Sequence, residues 1–299
     1  MVSRRALLGG AAGVVGAAGL GAVLVETEVL PGRGAVHRKL GWTGPETPVP
    51  KTKPGRSAGG TFTSRARGNR KVSWRASYPP GMVATAQLPV AIALHSRGRD
   101  HRFAFDDLGA DRYLAQVTAF AVQPFVVVSV DGGPDSYWHE RENADDPPRM
   151  IRDELLPVLA DRGLQTDRIG LIGWSMGGYG ALLFAEHFPA QVVAVAAVSP
   201  ALWRDPEDAA DGAFDGASDF RRHDVFRRSS ALRSVDVRVD CGDVDPFVDT
   251  VEEFRDRLEP KPGGHISEGG HDVYYWRRAM PGALGFLGDA LGNAYAEAP

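Results

Sequence analysis

The chain has 299 residues, 43% of them hydrophobic and 24% charged, so it can bury one large core. The formal net charge of −4 and the absence of a basic stripe argue against nucleic acid or an anionic membrane surface as the partner. The single cysteine, Cys241, excludes an intramolecular disulfide and a thiolate metal cluster. No histidine spacing typical of a metallohydrolase occurs, so we expect neither a metal nor a cofactor.

The first 30 residues have the pattern of an export signal. Arg4 and Arg5 precede an uncharged stretch at residues 6–25 that is rich in Ala, Gly, Val and Leu. Adjacent arginines before a weakly hydrophobic run are typical of a twin-arginine signal, although twenty apolar residues also suffice for a membrane anchor. We therefore expect an exported protein, either secreted or held through this segment at the outer face of the cell membrane.

A linker is predicted over residues 31–59, followed by one domain over residues 60–299. Residues 41–60 contain four prolines and no apolar periodicity, a composition that favours a stiff, extended tether. The oligomeric state cannot be read from this pattern.

Strand patterns begin with a predicted hairpin over residues 60–78, which turns at Gly68 and Asn69. Short apolar runs follow, and several lack alternation, as strands buried on both faces should. These runs cover residues 89–94, 125–130, 169–173, 192–198 and 235–241.

Helical patterns lie between the predicted strands. One opens at residues 145–148, a second follows Ser175, and a third contains Val248 and Val251. Alternating strands and helices predict an α/β fold with a mostly parallel central sheet and helices on both faces. Residues 203–234 are interpreted as a polar insertion after the sixth strand, overhanging the carboxyl ends of the strands, where sites in such sheets lie.

The strongest chemical signal is the pattern Gly-x-Ser-x-Gly at Gly173, Ser175 and Gly177. It follows a strand-like run and precedes a helix of small and apolar residues, which is the setting of a nucleophile elbow. The sharp turn requires tiny neighbours two residues before and after the serine. We predict that Ser175 is the nucleophile and that the Met176 N–H, at the start of the helix, stabilises an oxyanion.

A serine nucleophile needs a base and a carboxylate that orients it, and in folds with this elbow both follow the serine, acid first. His271 lies in a glycine-flanked loop that starts a helix, whereas His265 looks like the opening of the final strand. We favour His271 as the base. For the acid we favour Asp245, with Asp243 second. Glu252 is a weaker candidate because its helical spacing suits a solvated face.

The second oxyanion donor is expected from the loop that follows the first central strand. This loop reads His95-Ser96-Arg97-Gly98, and we favour the backbone N–H of Arg97, with Ser96 and Gly98 as alternatives.

Together these segments resemble the esterase family of α/β-hydrolases, which includes S-formylglutathione hydrolase, feruloyl esterase domains and mycobacterial mycolyltransferases. The resemblance covers about residues 87–290, and GWSMGGYG and GGHDVYYW are its most specific parts. It implies the α/β-hydrolase fold and a Ser175, Asp245 and His271 triad. It also implies an acyl pocket near Tyr137 and Trp138, to which we add Trp174. Many members have His-Gly or Asp-Gly at the oxyanion loop, where this chain has His95-Ser96.

Three functions are compatible with these patterns. The first is hydrolysis of a small-molecule or lipid ester through an acyl-enzyme, by a carboxylesterase-type serine hydrolase. The second is transfer of the acyl group to a sugar or lipid alcohol, which shares the first half-reaction. The third is a non-catalytic binding protein on a hydrolase scaffold. The sequence defines neither the acyl group nor the alcohol.

Overall fold

Eight strands form one mixed sheet in the computed structural model, which describes residues 44–82, 86–120 and 122–296. The predicted export signal and the first part of the linker lie outside these residues. The strand order across the sheet is β1-β2-β4-β3-β5-β6-β7-β8. The strands are β1 (Ser57–Ser64), β2 (Arg70–Ser77), β3 (Pro89–Leu94), β4 (Val126–Val130), β5 (Gln165–Trp174), β6 (Val192–Val198), β7 (Asp236–Gly242) and β8 (Ile266–Ser267).

The pairing of the strands confirms a mostly parallel sheet with an antiparallel edge. β1 and β2 form the predicted hairpin, and β2 also pairs antiparallel with β4. Gly68 and Asn69 at the turn both have positive φ, the backbone that hairpin turns require. The remaining neighbours are parallel. The first strand starts at Ser57, three residues before the predicted domain start.

Helices cover both faces of the sheet. They are α1 (Phe103–Asp106), α2 (Ala110–Thr118), α3 (Pro147–Met150), α4 (Leu156–Ala160), α5 (Met176–His187), α6 (Ala217–Arg222), α7 (Val225–Arg228), α8 (Val248–Arg257) and α9 (Val273–Ala296). A π-helical turn at Ile151–Leu155 joins α3 to α4. In the part of the chain that the structure describes, no helix is both long and apolar enough to cross a membrane.

The core consists of two apolar clusters, one on each face of the sheet. Side chains of β3 alternate between them, as the pleat of a strand dictates: Ile92 belongs to the cluster with α5, and Ala93 to the cluster with α2 and α9. All six residues of β3 are buried. This explains why its sequence is continuously apolar.

The insertion at residues 203–234 follows β6 as predicted, but it is not simply polar. It contains α6, α7 and two 3₁₀ turns, and it brings the half-buried rings of Trp203 and Phe214 against the main body of the domain.

The described part of the predicted linker, residues 44–56, contacts the domain. The carbonyl of Pro45 accepts a hydrogen bond of 2.6 Å from Arg278, and that of Thr47 accepts one of 3.2 Å from Arg277. Val49 packs over Gly109 so closely that a Cβ there would lie 2.2 Å from its Cγ1. Residues 45–50 therefore lie along α2 and α9 and do not form a free tether.

Candidate active site

The turn between β5 and α5 holds Ser175 in a strained backbone conformation. Its φ is 55° and its ψ is −117°, a combination that a residue with a Cβ adopts only under constraint. A Cβ on Gly173 would lie 2.0 Å from the carbonyl oxygen of Gly177, and one on Gly177 would lie 1.9 Å from that of Leu94. Both flanking glycines are therefore required by sterics.

Backbone hydrogen bonds stabilise this turn. The N–H of Ser175 donates to the carbonyl of Val198 on β6 at 3.1 Å. The carbonyl of Ser175 accepts from Tyr179 at 3.0 Å and from Ala201 at 3.1 Å. The serine is thus tied to the next strand and to the first turn of α5, so its side chain is placed by the rigid centre of the sheet.

Ser175, His271 and Asp245 form a hydrogen-bonded chain. His271 Nε2 lies 2.8 Å from Ser175 Oγ, and His271 Nδ1 lies 2.9 Å from Asp245 Oδ2. Asp245 is on the loop after β7, and His271 is on the loop that leads into α9. The three side chains come from three separate segments at the carboxyl ends of the strands, where the parallel topology brings their loops together.

The Asp245 carboxylate is buried but remains ionised. Burial by itself would raise its pKa, yet the adjacent His271 and the Phe247 N–H, which donates to Oδ1 at 3.0 Å, together hold the pKa below its usual value. The carboxylate can therefore accept a hydrogen bond from the Nδ1–H of His271 and stabilise positive charge on the ring.

The alternative acids and the alternative base lie elsewhere. Asp243 accepts a hydrogen bond from Gly269 N at 3.1 Å, which fastens the glycine loop before His271. Glu252 is exposed on α8, and His265 is exposed just before β8. The structure places none of the three in hydrogen-bond contact with Ser175.

One backbone amide follows Ser175 in the chain, and another is on the loop after β3. Met176 is the first residue of α5, and Arg97 follows β3, whose last carbonyl abuts Gly177. Within the described residues, neither N–H has a hydrogen-bond acceptor, which leaves both free to donate to a substrate oxygen. The Arg97 guanidinium donates to Asp135 at 2.8 Å and to the Asp211 carbonyl at 2.9 Å.

A row of aromatic rings leads from His271 into the insertion. The ring centroid of Phe247 is 5.3 Å from that of His271 and 5.5 Å from that of Trp203. Trp203 in turn lies 5.4 Å from Tyr137, which is 6.3 Å from Phe214. Tyr137, which we expected at the acyl pocket, belongs to this row, while sequence reasoning missed the other three aromatic residues. Two signals in the sequence could have revealed them. Phe247 directly follows Asp245-Pro246, and Trp203 and Phe214 are aromatic residues within a segment that we interpreted as polar.

The other two predicted pocket residues have different roles. Trp138 is buried beneath the loop after β3, and its Nε1–H donates to the His95 carbonyl at 3.1 Å. Trp174 is fully buried on the α9 side of the sheet, where its ring lies 6.0 Å from that of Phe103. The prediction that Trp174 lines the pocket is wrong. Adjacent residues of a strand face opposite sides, and Trp174 faces the second core cluster.

One group in the described residues has the composition of a metal site, namely His139, Asp219 and His223. Both ring nitrogens of His139 lie 2.9 Å from a backbone carbonyl oxygen, of Glu140 and of Ala213. The two histidine rings stack at 4.3 Å, and Nδ1 of His223 lies 3.1 Å from the Asp219 carboxylate. We interpret the group as a hydrogen-bonded cluster that fastens the insertion.

Comparison with known families identifies the family of this chain. The model of the Esterase family matches residues 66–287, which is most of the chain. The chain belongs to the esterase family. This family assignment makes it a carboxylesterase-type serine hydrolase. Among curated proteins, none matches the sequence.

Solved structures of esterases have the same fold at low sequence identity. A ferulic acid esterase superposes with a TM-score of 0.68 at 21% identity, over 78% of this chain and 97% of that one. An S-formylglutathione hydrolase from Agrobacterium tumefaciens gives 0.65 at 17%, over 81% and 98%. A ferulic acid esterase from Anaeromyces mucronatus, in complex with ferulic acid, gives 0.66 at 16%, over 82% and 95%. These likenesses establish the α/β-hydrolase fold.

Proposed function

We propose that this esterase hydrolyses carboxylic esters through an acyl-enzyme, with Ser175, His271 and Asp245 as its catalytic triad. The observation that supports this most strongly is the hydrogen-bonded chain of 2.8 Å and 2.9 Å that joins the three side chains. Ser175 stands in a strained elbow of the kind that presents a nucleophile. The Met176 amide follows it directly, and the Arg97 amide is on the loop whose start abuts Gly177.

The proposed reaction has two half-reactions. His271 Nε2 takes the proton of Ser175 Oγ as the oxygen attacks the ester carbonyl, and the Asp245 carboxylate holds Nδ1–H and stabilises the imidazolium. The N–H groups of Met176 and Arg97 donate to the oxyanion. The C–O bond to the alcohol then breaks, and His271 gives its proton to the leaving oxygen. A water molecule, activated by the same imidazole, releases the acid and restores Ser175.

We propose an aromatic acyl group for the substrate, bound against Tyr137, Trp203, Phe214 and Phe247. These rings start within 5.3 Å of His271 and continue into the insertion. Flat rings pack against such a wall by offset or edge contacts. Ferulic acid, the ligand of the Anaeromyces mucronatus structure, has this shape.

The catalytic proposal is tested by turnover of p-nitrophenyl acetate and methyl ferulate. Ser175→Ala should lower kcat by about 10³-fold or more, while Ser230→Ala, an exposed serine of the insertion, should retain it. Asp245→Asn should also reduce kcat strongly. Full activity in the Ser175→Ala protein, or a folded wild-type protein that turns over no ester and resists a fluorophosphonate label, would contradict the proposal.

The acyl group is tested with Trp203→Ala and a matched control. Phe120 is a large hydrophobic residue that is 78% exposed, so Phe120→Ala should change nothing. Trp203→Ala should reduce kcat/KM for methyl ferulate by about tenfold, because it removes ring contacts worth about 1 kcal/mol or more, and should leave p-nitrophenyl acetate nearly unaffected. Equal losses on both esters would argue against an aromatic acyl site. Added alcohol with product analysis distinguishes hydrolysis from acyl transfer.

We propose export for the full chain on the sequence of its first 30 residues alone. Replacing Arg4 and Arg5 by lysine should leave the protein in the cytoplasm of a bacterium that has the twin-arginine pathway, whereas the unaltered signal should move it out. Equal distribution of the two proteins between fractions would count against a twin-arginine signal.

A further inference from the structure

A histidine with no assigned role lies at the end of β3, directly before the loop that carries the Arg97 amide. His95 is completely buried, and its ring lies 4.9 Å from that of Trp138. Buried polar groups cost free energy unless they are paired, so the partners of this ring indicate what it is for.

The hydrogen bonds of His95 define its tautomer. The N–H of Gly132 points at Nε2 at 3.0 Å, and an N–H can only donate, so Nε2 carries a lone pair. The other nitrogen, Nδ1, lies 2.9 Å from the carbonyl oxygen of Ser96, which can only accept. A neutral ring with its proton on Nδ1 satisfies both contacts. Burial lowers the pKa of His95, which keeps the ring neutral.

The carbonyl that His95 holds belongs to the same peptide unit as the Arg97 N–H. A trans peptide is planar, so its C=O and N–H point in opposite directions. The Ser96 oxygen is fixed by His95 Nδ1 and by the N–H of Arg99 at 3.2 Å. The Arg97 N–H must then point away from the His95 ring, and it has no acceptor within the described residues.

We propose that His95 is a positioning residue, which acts through the Ser96–Arg97 peptide and orients its N–H toward the substrate oxyanion. This inference rests on the proposed esterase function. His95 is itself fastened from the neighbouring loop, because its backbone carbonyl accepts from Trp138 Nε1 and its Nε2 accepts from Gly132. A serine at position 96 restricts the backbone more than glycine would, and the ring holds that more restricted peptide in one orientation.

Two substitutions separate the two hydrogen bonds of the ring. The side-chain amide of His95→Asn reaches the position of Nδ1 and can still donate to Ser96. The longer amide of His95→Gln reaches the position of Nε2 and can accept from Gly132, but it loses the donor to Ser96. Leu284→Ala, in the core on the other face, serves as a control that loses stability far from the loop.

The experiment measures kcat and KM for p-nitrophenyl acetate, with affinity for a boronic acid that forms a tetrahedral adduct on serine. His95→Gln should lower kcat by about 10- to 100-fold with KM within about threefold, since it weakens one of two oxyanion donors. His95→Asn should stay within about fivefold of wild type. Boronate affinity should fall in step with kcat/KM, and Leu284→Ala should keep kcat despite a lower Tm.

The inference would be overturned if His95→Asn, His95→Gln and wild type had equal kcat values. It would also be overturned if the two variants lost kcat equally. Because either variant could fail to fold, the wild-type protein provides a second test: ¹⁵N-edited NMR should find the His95 proton on Nδ1 at neutral pH, and a proton on Nε2 would overturn the inference. The proposed function is judged separately by wild type against Ser175→Ala. If wild type hydrolyses no ester, both proposals fail together.

Discussion

The two sides of the candidate site are held by different forces. The nucleophile side, which carries the proposed nucleophile Ser175, is held by the close approach of backbones, with Gly173 and Gly177 packed against neighbouring carbonyls at the centre of the sheet. The wall facing it, made of residues 131–145 and the insertion, is held by charge and hydrogen bonding. Arg67 forms a buried pair with Asp145, and Arg141 binds Asp215 and the carbonyl of Gly212.

This difference implies a division of labour. Close packing leaves the reacting atoms little freedom, as the geometry of the reaction demands. Ion pairs and hydrogen bonds can hold a loop in place even when the loop has no hydrophobic core of its own. Substitutions on the nucleophile side should therefore abolish the reaction, while those on the wall should alter stability and substrate affinity. The four predictions below test that division, from the largest expected effect to the smallest.

Gly177→Ala should abolish activity, because its Cβ would lie 1.9 Å from the backbone oxygen of Leu94 and no flexible side chain can move aside. The variant should also be less stable, by about 3 kcal/mol or more. Gly285→Ala is the matched control: its Cβ meets nothing within 4 Å on α9, and alanine there should stabilise the helix by about 0.5 to 1 kcal/mol. Both are checked by ester turnover and thermal unfolding. A fully active Gly177→Ala protein would show that the elbow can relax.

Arg67→Met should lower the free energy of unfolding by about 3 to 5 kcal/mol, since it leaves the buried Asp145 carboxylate without its main partner. The side chains of the pair are 3% and 8% exposed, and the two bonds measure 2.7 Å and 3.0 Å. Arg70 binds the same carboxylate but is 56% exposed, so Arg70→Met should cost about 1 kcal/mol or less. Urea unfolding measures both. Equal costs for the two variants would refute the distinction between buried and exposed pairing.

Glu186→Gln should stabilise the protein above about pH 4.5. Glu186 is buried at the insertion end of α5 with neither carboxylate oxygen paired, and burial, reinforced by Asp224, raises its pKa to about 9. The folded state therefore holds a proton that the unfolded state releases, so wild-type stability is complete below pH 4.5 and falls as the pH rises toward 9. Glutamine mimics the protonated acid and escapes that loss.

Glu186→Gln should raise the free energy of unfolding by about 1 to 3 kcal/mol at pH 7.5. A shifted group can change this free energy by at most about 1.4 kcal/mol for each pH unit above its unfolded pKa, so the gain should vanish near pH 4.5. Ester turnover should not change. Glu252→Gln, on the exposed face of α8, is the control and should have no effect at either pH. A gain that is independent of pH would mean that Glu186 is ionised in the folded protein.

Arg141→Gln should have the smallest effect, a rise in KM for methyl ferulate of about three- to tenfold with kcat little changed. Arg141 donates to Asp215 and to the carbonyls of Gly212 and Ala213, next to the Phe214 ring. Loosening that segment should displace the aromatic wall and leave Ser175 in place. Fluorophosphonate labelling rates should match wild type, and Arg168→Gln should match it in every assay, because Arg168 is exposed near the start of β5, at the opposite end of that strand from Ser175. A fall in kcat alone would mean that the wall also orients the nucleophile.

Much of the fold, and the three hydrogen-bonded side chains of Ser175, His271 and Asp245, could be anticipated from local sequence. Strands buried on both faces need continuous apolar runs, and β3, β5 and β6 have them. Ser175 was recognisable because its backbone conformation excludes large neighbours, which leaves a pattern of glycines. The order of serine, acid and histidine narrowed the partners, and Asp245 and His271 lie within hydrogen-bond distance in the structure.

What the sequence could not provide was the contacts between segments distant along the chain. Trp174 was expected at the pocket, but the pleat of β5 turns it into the opposite core cluster. Trp203 and Phe247 reach the site from separate loops, and residues 45–50 fold back on α2 and α9. The sequence by itself determined the elements and the elbow around Ser175, because those depend on periodicity and local sterics. The row of aromatic rings and the partners of the buried His95 ring were decided by tertiary structure, because each requires groups that only the folded sheet brings together.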